Sequence, residues 1–244
     1  MTTTDTVLVA GAGGALGSRI LAHYLGEQRP VAALDRDLAH ERVPPGDYPR
    51  ISLELASGAV LDEALDRLEQ EGMRFTLLVN LIGLIWNEPL LAFKGRKLVS
   101  HDINTWRNAI EANLTAPFIL ASRVAARMAR QGSGAIINFS SVAASGHAGQ
   151  AAYGAAKAGL EALTRVMAIE YGPLGVRTNA VALGFVDVES TRAALDETKL
   201  QSYAKATPIG RLGTTDDVIE AINFLATDTF VNGAVLRLDG GLRV

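Results

Sequence analysis

Short apolar runs separated by segments of helical period predict an α/β domain: a doubly wound parallel sheet with helices on both faces. Three observations carry that expectation. Candidate strands and helices alternate along the whole chain. A glycine-rich turn joins the first strand directly to the first helix. No internal repeat, low-complexity tract or linker divides residues 1–244, so a single domain is expected.

Thr6–Ala10 reads as a short buried strand, followed at once by Gly11-Ala-Gly-Gly-Ala-Leu-Gly17. Leu16, Ile20, Leu21, Tyr24 and Leu25 then fall on one side of a helix. Strand, glycine turn and helix together bring a phosphate to the unpaired N–H groups of a helix N-terminus. The glycines are spaced G-x-G-x-x-x-G, with Leu16 standing where the narrower G-x-G-x-x-G has its last glycine. A tight turn that holds no ligand has the same pattern. Val31–Leu34 makes a second strand, closed by Asp35. A carboxylate about 20 residues past the turn suits the adenosine ribose hydroxyls and repels a 2′-phosphate, which favours NAD. Arg36 beside it could receive that phosphate, so NADP stays open. Asp35 could also simply cap a short helix.

A Pro-rich connection, Val43–Pro49, leads to a third strand over 50–55 and a helix through 59–71. Phe75–Leu81 is the fourth strand and runs into Asn80-Leu-Ile-Gly83. In such a sheet ligands bind beyond the carboxyl ends of the strands, where these motifs fall. Residues 84–103 are irregular and cluster Lys94, Arg96 and Lys97, as a solvated loop or a contact for a phosphate-bearing substrate would. A long helix is expected from about Asn104 to Arg130. It contains Asn113 and, four residues later, Pro117. Proline has no N–H, so the Asn113 carbonyl loses its helical partner and a kink frees it for water.

The stretch Asn138–Lys157 carries the chemistry. Ala135–Phe139 is apolar, which puts Ser140 and Ser141 where a strand meets its loop. Ala-rich sequence follows, and there Tyr153 and Lys157 stand one turn apart on the same helical face. A tyrosine with its ordinary pKa of about 10 is a poor base near neutrality. An ammonium one turn away favours the phenolate and is expected to lower that value. Ser141 could hold a carbonyl oxygen where the tyrosine protonates it. A lone Y-x-x-x-K is also an ordinary surface pair, and His147, between Ser141 and Tyr153, reads as an ordinary loop histidine or a substrate contact.

Beyond a helix reaching about Gly172, Val176–Ala182 is a sixth strand, followed by Gly184-Phe-Val-Asp-Val188. A polar, helix-prone segment to about Lys205 suits a substrate lid. Thr215–Ala226 is another helix, and Ala234–Leu238 a last strand closed by Asp239-Gly-Gly. The composition, 48% hydrophobic and 20% charged, is that of a globular protein with a large core. A net charge of −3 gives no argument for nucleic acid or an anionic membrane. Without cysteine there is no disulfide, thiol catalysis or thiolate metal site, and four scattered histidines give no metal spacing. The start M-T-T-T-D-T has no basic leader region and no apolar run reaches spanning length, so a cytoplasmic protein is expected.

Together these residues resemble the short-chain dehydrogenase/reductase family over nearly the whole chain. Ala10-Gly11-x-x-x-Ala15-x-Gly17 is similar to its T-G-x-x-x-G-x-G turn, and Asn80-Leu-Ile-Gly83 to its N-N-A-G. Leu183-Gly184 stands for its P-G, and Asp239-Gly-Gly241 matches its D-G-G. Asn113, Ser141, Tyr153 and Lys157 fill its catalytic tetrad in order. The resemblance implies a Rossmann-like fold and hydride transfer between NAD, or NADP, and a carbonyl or secondary alcohol. Tyr153 would exchange the proton, and Lys157 would also bind the nicotinamide ribose. The implied cofactor shell is Gly11, Gly14, Ala15, Leu16, Gly17, Asp35, Arg36, Glu54, Leu55, Asn80, Ile82, Gly83, Tyr153, Lys157, Gly184, Val186 and Val188. Ala15 adds a methyl group near the pyrophosphate, and Val188 replaces a threonine that often binds the nicotinamide amide. A homotetramer is implied, with the long helices and last strand at its interfaces.

G-Q-A-A-Y-G-A-A-K-A-G-L and P-I-G-R-L-G resemble the 3-oxoacyl-carrier-protein reductases, which points to an acyl-thioester substrate. An alcohol, sugar or secondary-metabolite dehydrogenase is the alternative, favoured by Asp35 and by the long 84–103 segment. A cofactor-binding subunit or sensor without turnover is the rival from another class. A sugar epimerase would need a longer C-terminal region.

Overall fold

The computed structural model describes residues 3–52, 58–194 and 196–242. The first half of the chain runs β1 (Thr4–Ala10), α1 (Ala15–Gly26), β2 (Val31–Asp35), β3 (Arg50–Ser52), α2 (Gly58–Gln70) and β4 (Met73–Asn80). A hairpin of β5 (Leu91–Lys94) and β6 (Lys97–Ser100) follows. Next come α3 (Ile103–Ile110), a π-helical turn (Glu111–Thr115) and α4 (Ala116–Gln131). The second half runs β7 (Gly134–Ser141), α5 (Ala151–Tyr171), β8 (Val176–Leu183), α6 (Glu189–Ala194), α7 (Glu197–Ala206), α8 (Thr215–Thr227) and β9 (Val235–Leu238).

Seven strands form one parallel sheet in the order β3-β2-β1-β4-β7-β8-β9. Side chains alternate between its two faces, and both faces are covered. Val7 and Val9 pack with Ile20, Leu21 and Tyr24 of α1 and Val218 and Ile222 of α8. Leu8 and Ala10 turn the other way, onto Leu61 and Leu65 of α2 and Leu120, Val124 and Met128 of α4. The expected doubly wound sheet is therefore present.

Register places the site. Ala10 pairs with Asn80, Asn80 with Asn138, Ser141 with Leu183, and Leu183 with Leu238. The glycine turn, the Asn80–Gly83 segment and the loop after Leu183 thus leave one edge of the sheet together. The chain winds outward from β1 through β2 and β3, then returns to the other side of β1 as β4, which opens a crevice there.

Two expectations change. The irregular 84–103 segment contains an antiparallel hairpin with Lys94, Arg96 and Lys97 exposed around its turn. The helix expected from 104 to 130 is interrupted by the π-helical turn, in which the Ala116 N–H reaches back to the Glu111 carbonyl. The helix-prone segment to about Lys205 is helical, as α6 and α7. The strand expected over 50–55 is seen as β3, and its end, with Glu54 and Leu55, lies outside the described residues. Among the described residues no helix is long and apolar enough to cross a membrane.

Candidate active site

A cleft of about 690 Å³ opens along the carboxyl edge of the sheet at the β1–β4 crevice. Its floor and one end are Gly11, Gly13, Gly14, Asp35, Arg36, Asp37 and His40. At the other end are Leu81, Ile82, Gly83, Leu84 and Trp86, walled by Asn108, Glu111, Ala112 and Ala116. The turn into the cleft has no room for side chains. A Cβ on Gly13 would stand 2.2 Å from the Asp37 carbonyl oxygen, and one on Gly17 would stand 2.0 Å from that of Gly11. Gly11 takes a φ of +82°, a region that favours glycine. Gly14 caps α1 without a side-chain hydrogen bond, so no side-chain oxygen occupies the first N–H groups of that helix.

Asp35 does not cap a helix. Its carboxylate accepts from the Gly13 N–H at 2.9 Å and from the Asp37 N–H at 3.2 Å, which ties the end of β2 to the glycine turn. The close-packed glycines, the bare helix N-terminus and the carboxylate at the adenosine end fit a dinucleotide.

At Gly83 the cleft meets a polar cluster. A Cβ there would lie 2.6 Å from Asn113 Oδ1 and 3.0 Å from Lys157 Nζ. Asn113 is buried and its side chain is fully engaged. Its amide accepts from the Leu84 N–H at 3.0 Å and donates to the carbonyls of Leu84 at 2.9 Å and Ala109 at 3.0 Å. The helix thus clamps the loop that follows β4. Pro117, at the start of α4, has no N–H to offer the Asn113 carbonyl.

Lys157 is 4% exposed, and its Nζ donates to the Phe139 carbonyl at 2.8 Å. Burial without a carboxylate partner pulls its pKa from 10.5 down to about 8. Tyr153 lies on the same face of α5, its ring centroid 5.8 Å from Lys157 Nζ. Its pKa is raised, not lowered as the spacing with Lys157 suggests. Burial disfavours the phenolate, and a hydrogen bond with Ser141 opposes that only in part. Ser141 Oγ also accepts from the Ala143 N–H at 3.2 Å, which holds it at the strand end. Ser140 points elsewhere. Of the two serines, Ser141 is the one facing Tyr153.

Several expected cofactor contacts stand away from the cleft lining. Asn80 is 1% exposed and lies beneath it, donating to the Pro117 carbonyl at 3.1 Å and to Asn138 Oδ1 at 3.0 Å. Its role in this structure is to join β4, β7 and α4. Ala15, Val186 and Val188 are buried in the core on the α1–α8 face, and Leu16 packs against it. Gly184 lets the chain pass Asp239, whose Cα would be 2.8 Å from a Cβ at that position. Asp37, Trp86, Asn108 and Glu111 also line the cleft, beyond the residues to which the sequence motifs point. For Asn108 and Glu111 the sequence does carry a signal: with Ala112 they are spaced i, i+3 and i+4, one face of the helix.

The fold and this cluster define a dinucleotide-dependent oxidoreductase of the Rossmann-like class. The family model described as enoyl-(acyl carrier protein) reductase matches residues 9–243. The short-chain reductase protein NovJ of Streptomyces niveus is 31% identical over 97% of this chain and 93% of its own. The 3-oxoacyl-[acyl-carrier-protein] reductase FabG of Pseudomonas aeruginosa is 33% identical over 78% of this chain and 74% of its own. A crystal structure of a short chain dehydrogenase/reductase family oxidoreductase from Burkholderia thailandensis superposes with a TM-score of 0.85. It is 33% identical, over 99% of this chain and 93% of that one. The chain belongs to the short-chain dehydrogenase/reductase family. It is an NAD(P)-dependent enzyme that transfers a hydride between a nicotinamide cofactor and a carbonyl or alcohol.

Proposed function

We propose that this enzyme uses NADH to reduce a carbonyl, with a 3-oxoacyl thioester as the substrate class and Tyr153 as the proton donor. The meeting of cleft and polar cluster at Gly83 carries this reading, since it sets Lys157 and Asn113 where a cofactor's reactive end would lie. Bound in the cleft, the nicotinamide supplies the hydride. Ser141 holds the substrate oxygen and Tyr153 protonates it. Burial keeps the tyrosine protonated at neutral pH, which suits a donor working in the reductive direction. The Lys157 ammonium then stabilises the phenolate, and the Asn113 carbonyl, lacking a donor at Pro117, holds water that returns the proton.

Asp35 and Asp37 support the NAD preference. Both line the adenosine end of the cleft, and a 2′-phosphate there would face two carboxylates. The acyl-thioester class is supported by similarity to the FabG enzymes and by the G-Q-A-A-Y and P-I-G-R-L-G runs. The β5–β6 hairpin favours a second reading, a dehydrogenase for a different alcohol, because it forms part of the segment running from the cleft to α3. A cytoplasmic homotetramer completes the proposal.

Oxidation of NADH and of NADPH, each offered with a short 3-oxoacyl thioester, tests both parts. Turnover with NADH at least tenfold faster than with NADPH is expected. Turnover with NADPH alone would overturn the Asp35 argument. Turnover of alcohols or sugars, and of no thioester, would establish the second reading.

A further inference from the structure

On α5, Tyr153, Lys157 and Glu161 recur at every fourth residue, so they stand one above another on a single face. The end of β7 meets that face at three successive points. Ser141 bonds Tyr153, the Phe139 carbonyl accepts from Lys157 Nζ at 2.8 Å, and Ser140 Oγ donates to Glu161 Oε1 at 2.8 Å. The Ser140 hydroxyl also lies 3.4 Å from the Lys157 carbonyl. Ser141 is the last residue of β7, so it reaches Tyr153 from the strand end, whereas Ser140 turns directly onto α5. Ser141 faces Tyr153, while Ser140 serves the helix.

Ser140 is only 3% exposed, and its acceptor is a carboxylate. The bond is part-buried, and a bond to an ionised acceptor is stronger than one between neutral groups. It sits between the two strand groups that Tyr153 and Lys157 use. We propose that Glu161, acting through Ser140, is a positioning residue that locks the end of β7 against α5. It thereby sets Ser141 and Lys157 in place relative to Tyr153. The inference rests on the reading of Tyr153 as the proton donor.

Ser140→Ala, Glu161→Ala, Glu161→Gln, the double alanine variant and Tyr153→Phe are compared for kcat, cofactor Kd and pH profile. Small displacements of reacting groups are costly, so each single alanine variant should lose about tenfold in kcat, with cofactor Kd within about twofold. The double variant should lose no more than either single one, because both changes break the same bond. Glu161→Gln, whose amide oxygen still accepts from Ser140, should recover most of the rate. The alanine variants should also shift the apparent pKa of the rate, which a purely structural role elsewhere would leave alone. Ser140→Ala removes one oxygen and decides the matter even where Glu161→Ala fails to fold. Wild-type kcat in the single alanine variants, additive losses, or a Glu161→Gln variant as slow as the alanine would overturn the brace while leaving Tyr153 its role. Wild-type turnover by Tyr153→Phe would overturn the proton-donor reading and the brace with it.

Discussion

Lys157 is held where its charge is costly. Burial takes its pKa from 10.5 to about 8, and its ammonium donates to a backbone carbonyl rather than to a carboxylate. Between those values the unfolded chain binds a proton that the folded chain does not, so this residue makes stability rise with pH across that window. Below about pH 8 the penalty is present in full, up to roughly 3 kcal/mol, since each tenfold change in proton affinity is worth about 1.4 kcal/mol. Lys157→Met keeps the length of the side chain, removes the charge and gives up the charge-assisted bond to Phe139, worth about 1.5–3 kcal/mol and so offsetting part of the gain. It should therefore be the more stable protein at pH 7, with the difference shrinking as pH approaches 10.5. Denaturant unfolding at several pH values measures this, and turnover should be lost throughout. A variant less stable than wild type at pH 7 would show that the buried ammonium is better satisfied than its contacts imply. The Tyr153–Lys157 pair itself was legible as spacing on one helix face. The direction of the tyrosine shift was not, because it depends on burial, which the spacing of two residues does not encode.

The elements around the site show the same division. Apolar runs buried on both faces announce themselves, and the glycine turn after β1 was visible from its spacing. The hairpin was not, since its two four-residue strands pair only with each other and are largely exposed, leaving no alternating buried pattern to read. Asn113 and Pro117 marked a disturbed helix, but a kink and a π-helical turn share that signature. Ser140 and Glu161 left no signal, because their pairing depends on how β7 enters the face of α5. Pro117 provides a test at this scale. Pro117→Ala restores an N–H four residues beyond Asn113, at the start of α4. The expected variant melts at a higher temperature and turns over several-fold more slowly, with cofactor affinity little changed. The reason is that the Asn113 carbonyl gains a helical partner and no longer holds water. Unchanged kcat in a stabilised variant would remove that carbonyl from the proton path.

At the scale of the molecule, the two helical layers expose apolar side chains on opposite sides of the sheet. On the outer side of α4 and α5 are Phe118 and Ile169, the latter 76% exposed. On the α8 side are Phe224 and, before β9, Phe230, which is 99% exposed. Large apolar groups this bare are a liability for a monomer and ordinary at a subunit interface. An isologous contact uses one patch on both partners, so one such patch makes a dimer. Two independent patches make a tetramer with three perpendicular two-fold axes. The proposed homotetramer therefore predicts a specific pattern of failure. Ile169→Glu should give dimers joined through the α8–β9 side, and Phe230→Glu should give dimers joined through α4 and α5. The combined variant should be a monomer. Light scattering coupled to size exclusion distinguishes all three. The face of α5 that carries Tyr153 and Lys157 lies inside the subunit while Ile169 lies outside it, so the Phe230 dimer should keep more activity than the Ile169 dimer, in which α5 has lost its packing partner. Equal activity in both dimers would mean that the α4–α5 contact does not support the site, and a wild-type chain that elutes as a monomer would overturn the assembly altogether.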